Sequence, residues 1–168
     1  MNSCLYVIIL MGGGGLYSFI DDFMNSHPNA GGLGVNWLIF GSSGHDSKPE
    51  GGVLENYTRC AEKNFYANHH IKTMCDPMKV LSAASAHFSL YFSKFYNLDE
   101  NGNIVTNALT QEVHFEKIRI NHYFCKSKEE YIKKRNRGMA DNNSLRPMKD
   151  FINHDRNECE DTEILNHI

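Results

Sequence analysis

The sequence lacks most of the short motifs that announce a chemistry. No Cys-x-x-Cys occurs among its five cysteines, Cys4, Cys60, Cys75, Cys125 and Cys159, so a structural zinc site is not signalled. Cysteines so scattered suit a reducing compartment, the cytoplasm. There is no His-x-His and no His-Glu-x-x-His among nine histidines, which weakens any metallohydrolase reading. The glycine run at 12–15 is not Gly-x-Gly-x-x-Gly and lacks the Lys-Ser/Thr of a phosphate-binding loop; it reads as a flexible joint. A basic excess is also missing: the net charge is -3, which argues against a nucleic-acid binder. Residues 5–11 (LYVIILM) fall far short of the roughly 20 apolar residues of a membrane helix. With no basic stretch before it and no A-x-A site after it, the run reads as a buried strand rather than a signal peptide. A cytoplasmic protein with, at most, peripheral membrane association is the expectation.

What is present suits one ordinary domain. The chain has 168 residues, of which 41% are hydrophobic and 22% charged, enough apolar material for a core. Strand-like runs at 5–10, 16–20 (LYSFI) and 35–40 (VNWLIF) alternate with turn signals. A helix is expected from 53 through 63. Short strands follow at 70–74 and 118–124, the latter alternating as a half-buried strand does, and 99–102 (DENG) reads as a hairpin turn. Ser127 with Glu130 forms a capping box, so a helix should start there, run to about Arg137 and stop at Gly138. Its basic stretch, 126–137, is interrupted by Glu129 and Glu130 and suits a solvated helix face. The mixture predicts an α/β or α+β class with one core, with residues 1–15 an irregular N-terminal segment and 16–168 the body of the domain.

Four places could carry chemistry. Asp21 and Asp22 follow an apolar run; at the end of a strand such a pair can hold a divalent cation and, through it, a diphosphate. The same pair suits a helix cap or a solvated turn. Residues 37–45 (WLIFGSSGH) deliver a Gly-Ser-Ser-Gly turn and a histidine after the lone tryptophan, so Trp37, Ser43, Gly44 and His45 could meet a sugar or phosphate, or form a plain hairpin around a core tryptophan. Glu55 in a half-apolar segment is either a general base or an exposed helix residue. His122, on the strand before Lys126 and Ser127, could ligate a metal while those two touch phosphate at a helix start; a satisfied buried histidine has the same pattern.

Read together, these blocks resemble the family 92-like glycosyltransferases and their GT-A type relatives in glycosyltransferase family 2. The matching elements are Phe19-Ile20-Asp21-Asp22-Phe23, then Gly34-Val35-Asn36-Trp37 through Gly44-His45, and Leu54-Glu55-Asn56-Tyr57-Thr58. His70-Ile71-Lys72-Thr73 with Pro77 follows, and last comes Arg119-Ile120-Asn121-His122-Tyr123 with Lys126-Ser127, Glu130, Lys133 and Arg137-Gly138. The resemblance spans roughly residues 16–161. It implies an α/β, partial GT-A (nucleotide-diphospho-sugar transferase) fold, a mixed sheet flanked by helices, that moves a sugar from a nucleotide-sugar donor to a glycan acceptor by an inverting, in-line attack. Mn2+ or Mg2+ would be held by Asp21, Asp22 and His122, with Trp37, Ser43, Gly44 and His45 on the acceptor side and Lys126 and Ser127 on phosphate. Glu55, with Asp46 behind it, would be the base. The family's metal motif reads Asp-x-Asp-Glu-Phe, whereas this chain has Asp21-Asp22-Phe23. Most of the family's N-terminal nucleotide-binding half has no counterpart ahead of it, so a separate upstream chain completing the fold is also expected. A non-catalytic carbohydrate-binding module derived from such an enzyme is the alternative.

Overall fold

In the computed structural model, which describes residues 5–12, 14–138 and 144–167, the N-terminal apolar run forms the strand β1 (Leu5–Leu10), but it is not the buried strand expected: only Ile9 is buried, and Tyr6 and Ile8 are exposed. Cys4 and Gly13 lie outside the described residues. The next segment corrects an expectation. Residues 16–20 do not form a strand but open a helix, α1 (Leu16–Ser26), which carries Asp21 and Asp22. The reason is spacing: Leu16, Phe19, Ile20 and Phe23 recur at i, i+3, i+4 and i+7, one face of a helix, and Phe23 is buried on it.

Strand β2 (Ala30–Phe40) starts five residues before the β-branched run that signalled it. The extra length contains Gly31, Gly32 and Gly34, which weaken a strand unless something must approach closely. A Cβ on Gly31 or Gly32 would run into the Tyr91 side chain, so here the glycines make room for a ring. The helix expected over 53–63 is a single turn, α2 (Val53–Asn56). The chain then turns extended as β3 (Arg59–Cys60), because Cys60 pairs with Phe40 and the Ala61 amide bonds the Ile39 carbonyl. A short 3-10 turn (Tyr66–His69) leads to β4 (Ile71–Cys75), β5 (Val80–Ala83), β6 (Ser89–Tyr91), β7 (Tyr96–Leu98) and β8 (Ile104–Val105). Strand β9 (Ile118–Tyr123) is buried at all six positions rather than alternately, as its place between β1 and β2 in the strand order requires. The remaining elements are α3 (Lys128–Asn136), α4 (Met148–His154), β10 (Cys159–Glu160) and a 3-10 turn (Glu163–His167). Helix α3 keeps its sequence signals: Ser127 and Glu130 form the capping box, and Gly138 takes φ +80°.

The chain divides into two compact units, with β1, β2 and β9 contributing to both. One takes the described residues of Ile8–Trp37 together with Asn64–Ile120. In it β2 pairs antiparallel with β4 and parallel with β7, and β7 pairs antiparallel with β8. The sheet is therefore mixed and the class α/β, as expected. Two buried polar side chains pin its loops. Asn36 donates to the Asn68 carbonyl at 3.0 Å and to Thr110 Oγ1 at 2.7 Å. The Glu100 carboxylate accepts the amides of Glu116, Lys117 and Ile118 and fixes the start of β9; burial raises its pKa against the opposing pull of those amides.

The other unit takes the described residues of Met1–Val7, Leu38–Lys63 and Asn121–Ile168. Its β3 edge is extended by β10, with Cys159 opposite Cys60 and Glu160 opposite Arg59. Tyr131 of α3 and Phe151 of α4 pack on Cys125, with Phe124 and Met148 alongside. Among the described residues no helix is long and apolar enough to cross a membrane.

Candidate functional site

The loop after β2 in this second unit is a tight turn that presents a histidine. The His45 amide donates to the Ser42 carbonyl at 3.0 Å, closing a four-residue turn. Its two central residues, Ser43 at φ 51° and Gly44 at φ 81°, are both left-handed. Glycine takes that conformation without penalty; serine does so at a cost of roughly 1–2 kcal/mol, which the surroundings must over-determine. They do: the Ser42 amide donates to Asp155 Oδ1 (2.7 Å), the Ser43 amide to Asn157 Oδ1 (2.8 Å), and Ser43 Oγ accepts the Arg59 amide (3.0 Å).

Past the turn, the loop meets the start of α3. The Lys128 amide donates to the His45 carbonyl at 3.2 Å and the Glu129 amide to the Asp46 carbonyl at 2.9 Å. Glu129 Oε2 in return accepts the Lys48 amide at 2.9 Å. Behind this contact sits Tyr57, 2% exposed, whose hydroxyl donates to Glu130 Oε2 at 2.5 Å and accepts the Ser127 amide at 3.1 Å. Ser127, fully buried, donates its hydroxyl to the same carboxylate oxygen at 2.8 Å and accepts the Glu130 amide. Burial raises the Tyr57 pKa to about 12, and the bond to Glu130 adds to the shift. For Glu130, burial pushes upward but the bonds from Tyr57 and Ser127 outweigh it, so its carboxyl lies below the ordinary value. The network is thus a carboxylate held ionised under a phenol held neutral. The sequence flagged Ser127 and Glu130 only as a helix cap. Tyr57 and its buried bond were missed, because the two partners lie 73 positions apart.

Each predicted site residue has a definite place. His45 is half-buried, its ring edge-on to Tyr57 at 5.6 Å and its Nε2 3.3 Å from the Asn56 carbonyl. Asp46 is exposed beside it. Glu55 is exposed on α2, and its carboxylate folds back over Gly52 at that helix's own start. Lys126 is half-buried with φ 54°, immediately before the cap. The amide and hydroxyl of Ser127 both serve partners inside the protein. His122 is 2% exposed, stacked on Tyr6 at 4.2 Å and edge-on to Phe124 at 5.6 Å. So one unit assembles Ser43, Gly44, His45 and Asp46 with Lys126 and Ser127.

Trp37, Asp21 and Asp22 belong to the first-described unit. Trp37 is a core residue whose ring stacks on His70 at 5.0 Å and tilts against His87 at 5.2 Å; burial lowers the His87 pKa. Asp21 and Asp22 are exposed on α1, not at a strand end. Consecutive helical residues point about 100° apart, and Asp21 Oδ2 accepts the Asn25 side chain one turn on. The pair does not converge on one cation, and among the described residues no group of three His, Cys, Asp or Glu side chains is arranged to hold a metal. The described residues therefore do not fit the expected Mn2+ or Mg2+ site.

In the same unit, 99–102 forms the expected hairpin turn between β7 and β8, closed by the Gly102 amide on the Asp99 carbonyl at 3.0 Å. A cleft of about 410 Å³ runs beside Asp99, Asn103, Thr110 and His114. Asp99 is buried and accepts the amides of Asn101 and Asn103, each at 2.9 Å, while His114 Nε2 stands 3.7 Å from its Oδ2. No protein-family model matches this chain, and no curated protein or solved structure matches it either.

Proposed function

We propose that this protein is a nucleotide-sugar-dependent glycosyltransferase of partial GT-A type, and that loop 41–48 with the first turn of α3 forms its acceptor surface. One observation supports the reading. Three blocks that carry the resemblance, around 41–46, 54–58 and 126–130, are distant in sequence yet are tied into one hydrogen-bonded cluster. A cluster held this firmly fixes the backbone at His45 and Asp46, as a site that orients a sugar hydroxyl requires.

In the proposed reaction an acceptor hydroxyl gives its proton to a carboxylate and attacks the anomeric carbon in line, and the nucleoside diphosphate departs. Asp46 suits the base better than Glu55: it is exposed on the loop beside His45, whereas the Glu55 carboxylate lies over its own helix start. A cytoplasmic location belongs to the same proposal, with a nucleotide-sugar and a glycan as ligands and no nucleic acid.

A second reading, a carbohydrate-binding module without catalysis, has its own support. The amides of Ser42, Ser43, Lys128 and Glu129 are all bound within the protein, so the loop and helix start offer no open anion cradle for a donor diphosphate. One experiment separates the two. The full chain is offered nucleotide-sugars with a glycan panel, and nucleoside diphosphate release and glycan binding are both measured. Release that falls roughly 100-fold or more in Asp46→Asn, with glycan affinity kept, supports the transferase. Glycan binding weakened by His45→Ala, without any release, supports the module. Neither release nor binding overturns both.

A further inference from the structure

Two of the cysteines that looked scattered along the sequence stand directly opposite each other. Cys159 of β10 is the cross-strand partner of Cys60 of β3 in an antiparallel pair. Both are thiols in the structure. Their register can be taken further. The Asp161 amide donates to the Thr58 carbonyl at 2.8 Å, so 161 and 58 form a hydrogen-bonded pair of this ladder. Antiparallel pairs alternate, which makes Cys159 and Cys60 a hydrogen-bonded pair as well, with Cα atoms about 5.5 Å apart. Disulfides span about 4.4–6.8 Å between Cα atoms, most often near 5.5–6 Å. Side chains of opposed residues project to the same face, and in a hydrogen-bonded pair the Cβ atoms lie near the wide end of roughly 4.5–5.5 Å, so closure asks the edge strand to move in by roughly 1–2 Å. Strand β10 has only two residues and lies at the sheet edge, so little resists that shift.

We propose that Cys159 and Cys60 are a reversible thiol–disulfide site, oxidised by low-molecular-weight disulfides of the glutathione type. The two thiols differ in a way that orders the steps. Cys159 is exposed and Cys60 is 3% exposed. The Cys159 thiolate attacks one sulfur of the small disulfide, breaks its S–S bond and expels one thiolate, leaving a mixed disulfide on Cys159. The Cys60 thiolate then attacks the Cys159 sulfur, breaks the mixed disulfide and expels the second thiolate. The balance is two protein thiols and one small disulfide in, one protein disulfide and two small thiols out. The buried partner meets no bulk reagent and resolves only its neighbour. A bridge closed by shifting an edge strand carries some strain, and strained bridges are the more readily reduced ones.

The location gives the bridge a consequence. The segment just before Cys159 supplies Asp155 and Asn157, which hold the Ser42 and Ser43 amides, and Arg59 of β3 donates to the Asn157 carbonyl at 2.9 Å. Joining 159 to 60 therefore clamps the segment that shapes loop 41–45. This inference does not depend on the sugar-transfer reading.

The test uses the full chain incubated with oxidised and reduced glutathione at graded ratios, followed by thiol counting and peptide mapping without reduction. The expected result is loss of two thiols, one linked peptide joining Cys159 to Cys60, and full recovery on adding dithiothreitol. Cys159→Ser, a change at an exposed position, should abolish the linked peptide and leave the fold intact by circular dichroism. Hydrogen exchange at Ser42 and Ser43 should slow several-fold in the oxidised protein. A Cys159 linked to Cys4, Cys75 or Cys125, a mixed disulfide at Cys159 that never resolves, or five thiols surviving oxidation would each overturn the site. Unchanged exchange at the loop would overturn its clamping role.

Discussion

At the scale of single residues, the Tyr57–Glu130 bond and the half-buried His87 ring both shape how stability responds to pH. Glu130 has a folded pKa below its unfolded value. Its contribution is therefore present above about pH 4.3, the ordinary glutamate value, and is lost as pH falls through the lower folded pKa. Tyr57 has the opposite sign. Raised to about 12, it contributes fully below pH 10 and loses that contribution as pH rises through 12. His87, with its pKa lowered by burial, contributes above the ordinary histidine value near 6.5 and loses it as pH falls below. Urea unfolding across pH should accordingly weaken first below about 6.5 and again below about 4.3, and His87→Gln should flatten the first step alone. Tyr57→Phe removes a donor from a buried carboxylate and should cost about 1–3 kcal/mol of unfolding free energy. It should also move the Glu130 step upward in pH; an unmoved step would mean the bond does not hold the carboxylate ionised.

At the scale of elements, the left-handed residues and the glycines separate local rules from tertiary demands. Ser127→Ala deletes the α3 cap and leaves Glu130 with one bond fewer, so a loss of about 1–2 kcal/mol is expected in thermal or urea melts. Lys126, at φ 54°, pays for a conformation that glycine adopts without strain. Lys126→Gly should leave stability unchanged or raise it by about 0.5 kcal/mol, relief of the strain being offset in part by glycine's freer unfolded chain. If it instead destabilises by more than 1 kcal/mol, the lysine side chain itself supports the fold. Gly31→Ala pushes a methyl group into the Tyr91 ring and should cost about 1–3 kcal/mol. Pairing it with Tyr91→Ala should recover part of that loss, since the two changes share one space and are not additive.

At the scale of the whole molecule, the charge balance bears on what it can bind. A net charge of -3 leaves little to neutralise a phosphate backbone. Retention on single-stranded RNA or DNA should be absent at 0.15 M salt; salt-dependent retention there would overturn the exclusion of nucleic acid. How far the sequence could be read depended on the kind of signal. The α3 capping box, the Gly138 stop and strands β4 and β9 were legible because each rests on residues a few positions apart. The helix carrying Asp21 and Asp22 was misread because LYSFI suits both periods over five residues; only Phe23 completes the helical face. The helix expected over 53–63 failed for the opposite reason, a long-range pairing of Cys60 that outweighs local preference. For the candidate site, His45, Asp46, Lys126 and Ser127 were visible as residue types, whereas Tyr57, Asp155 and Asn157 were not.

The sequence by itself determined a mixture of helices and strands, the helix cap at Ser127, the turn at 41–44 and the want of a basic excess, because these follow from local chemistry and composition. The tertiary structure alone decided which polar groups are spent on the protein and which are offered outward. It turned Ser127 and the Ser42 and Ser43 amides inward, left Asp46 exposed, and set Cys60 against Cys159 across 99 positions of chain. The physical reason is that a buried hydrogen-bonding group must find a partner wherever the fold brings one, and sequence distance places no limit on where that partner lies.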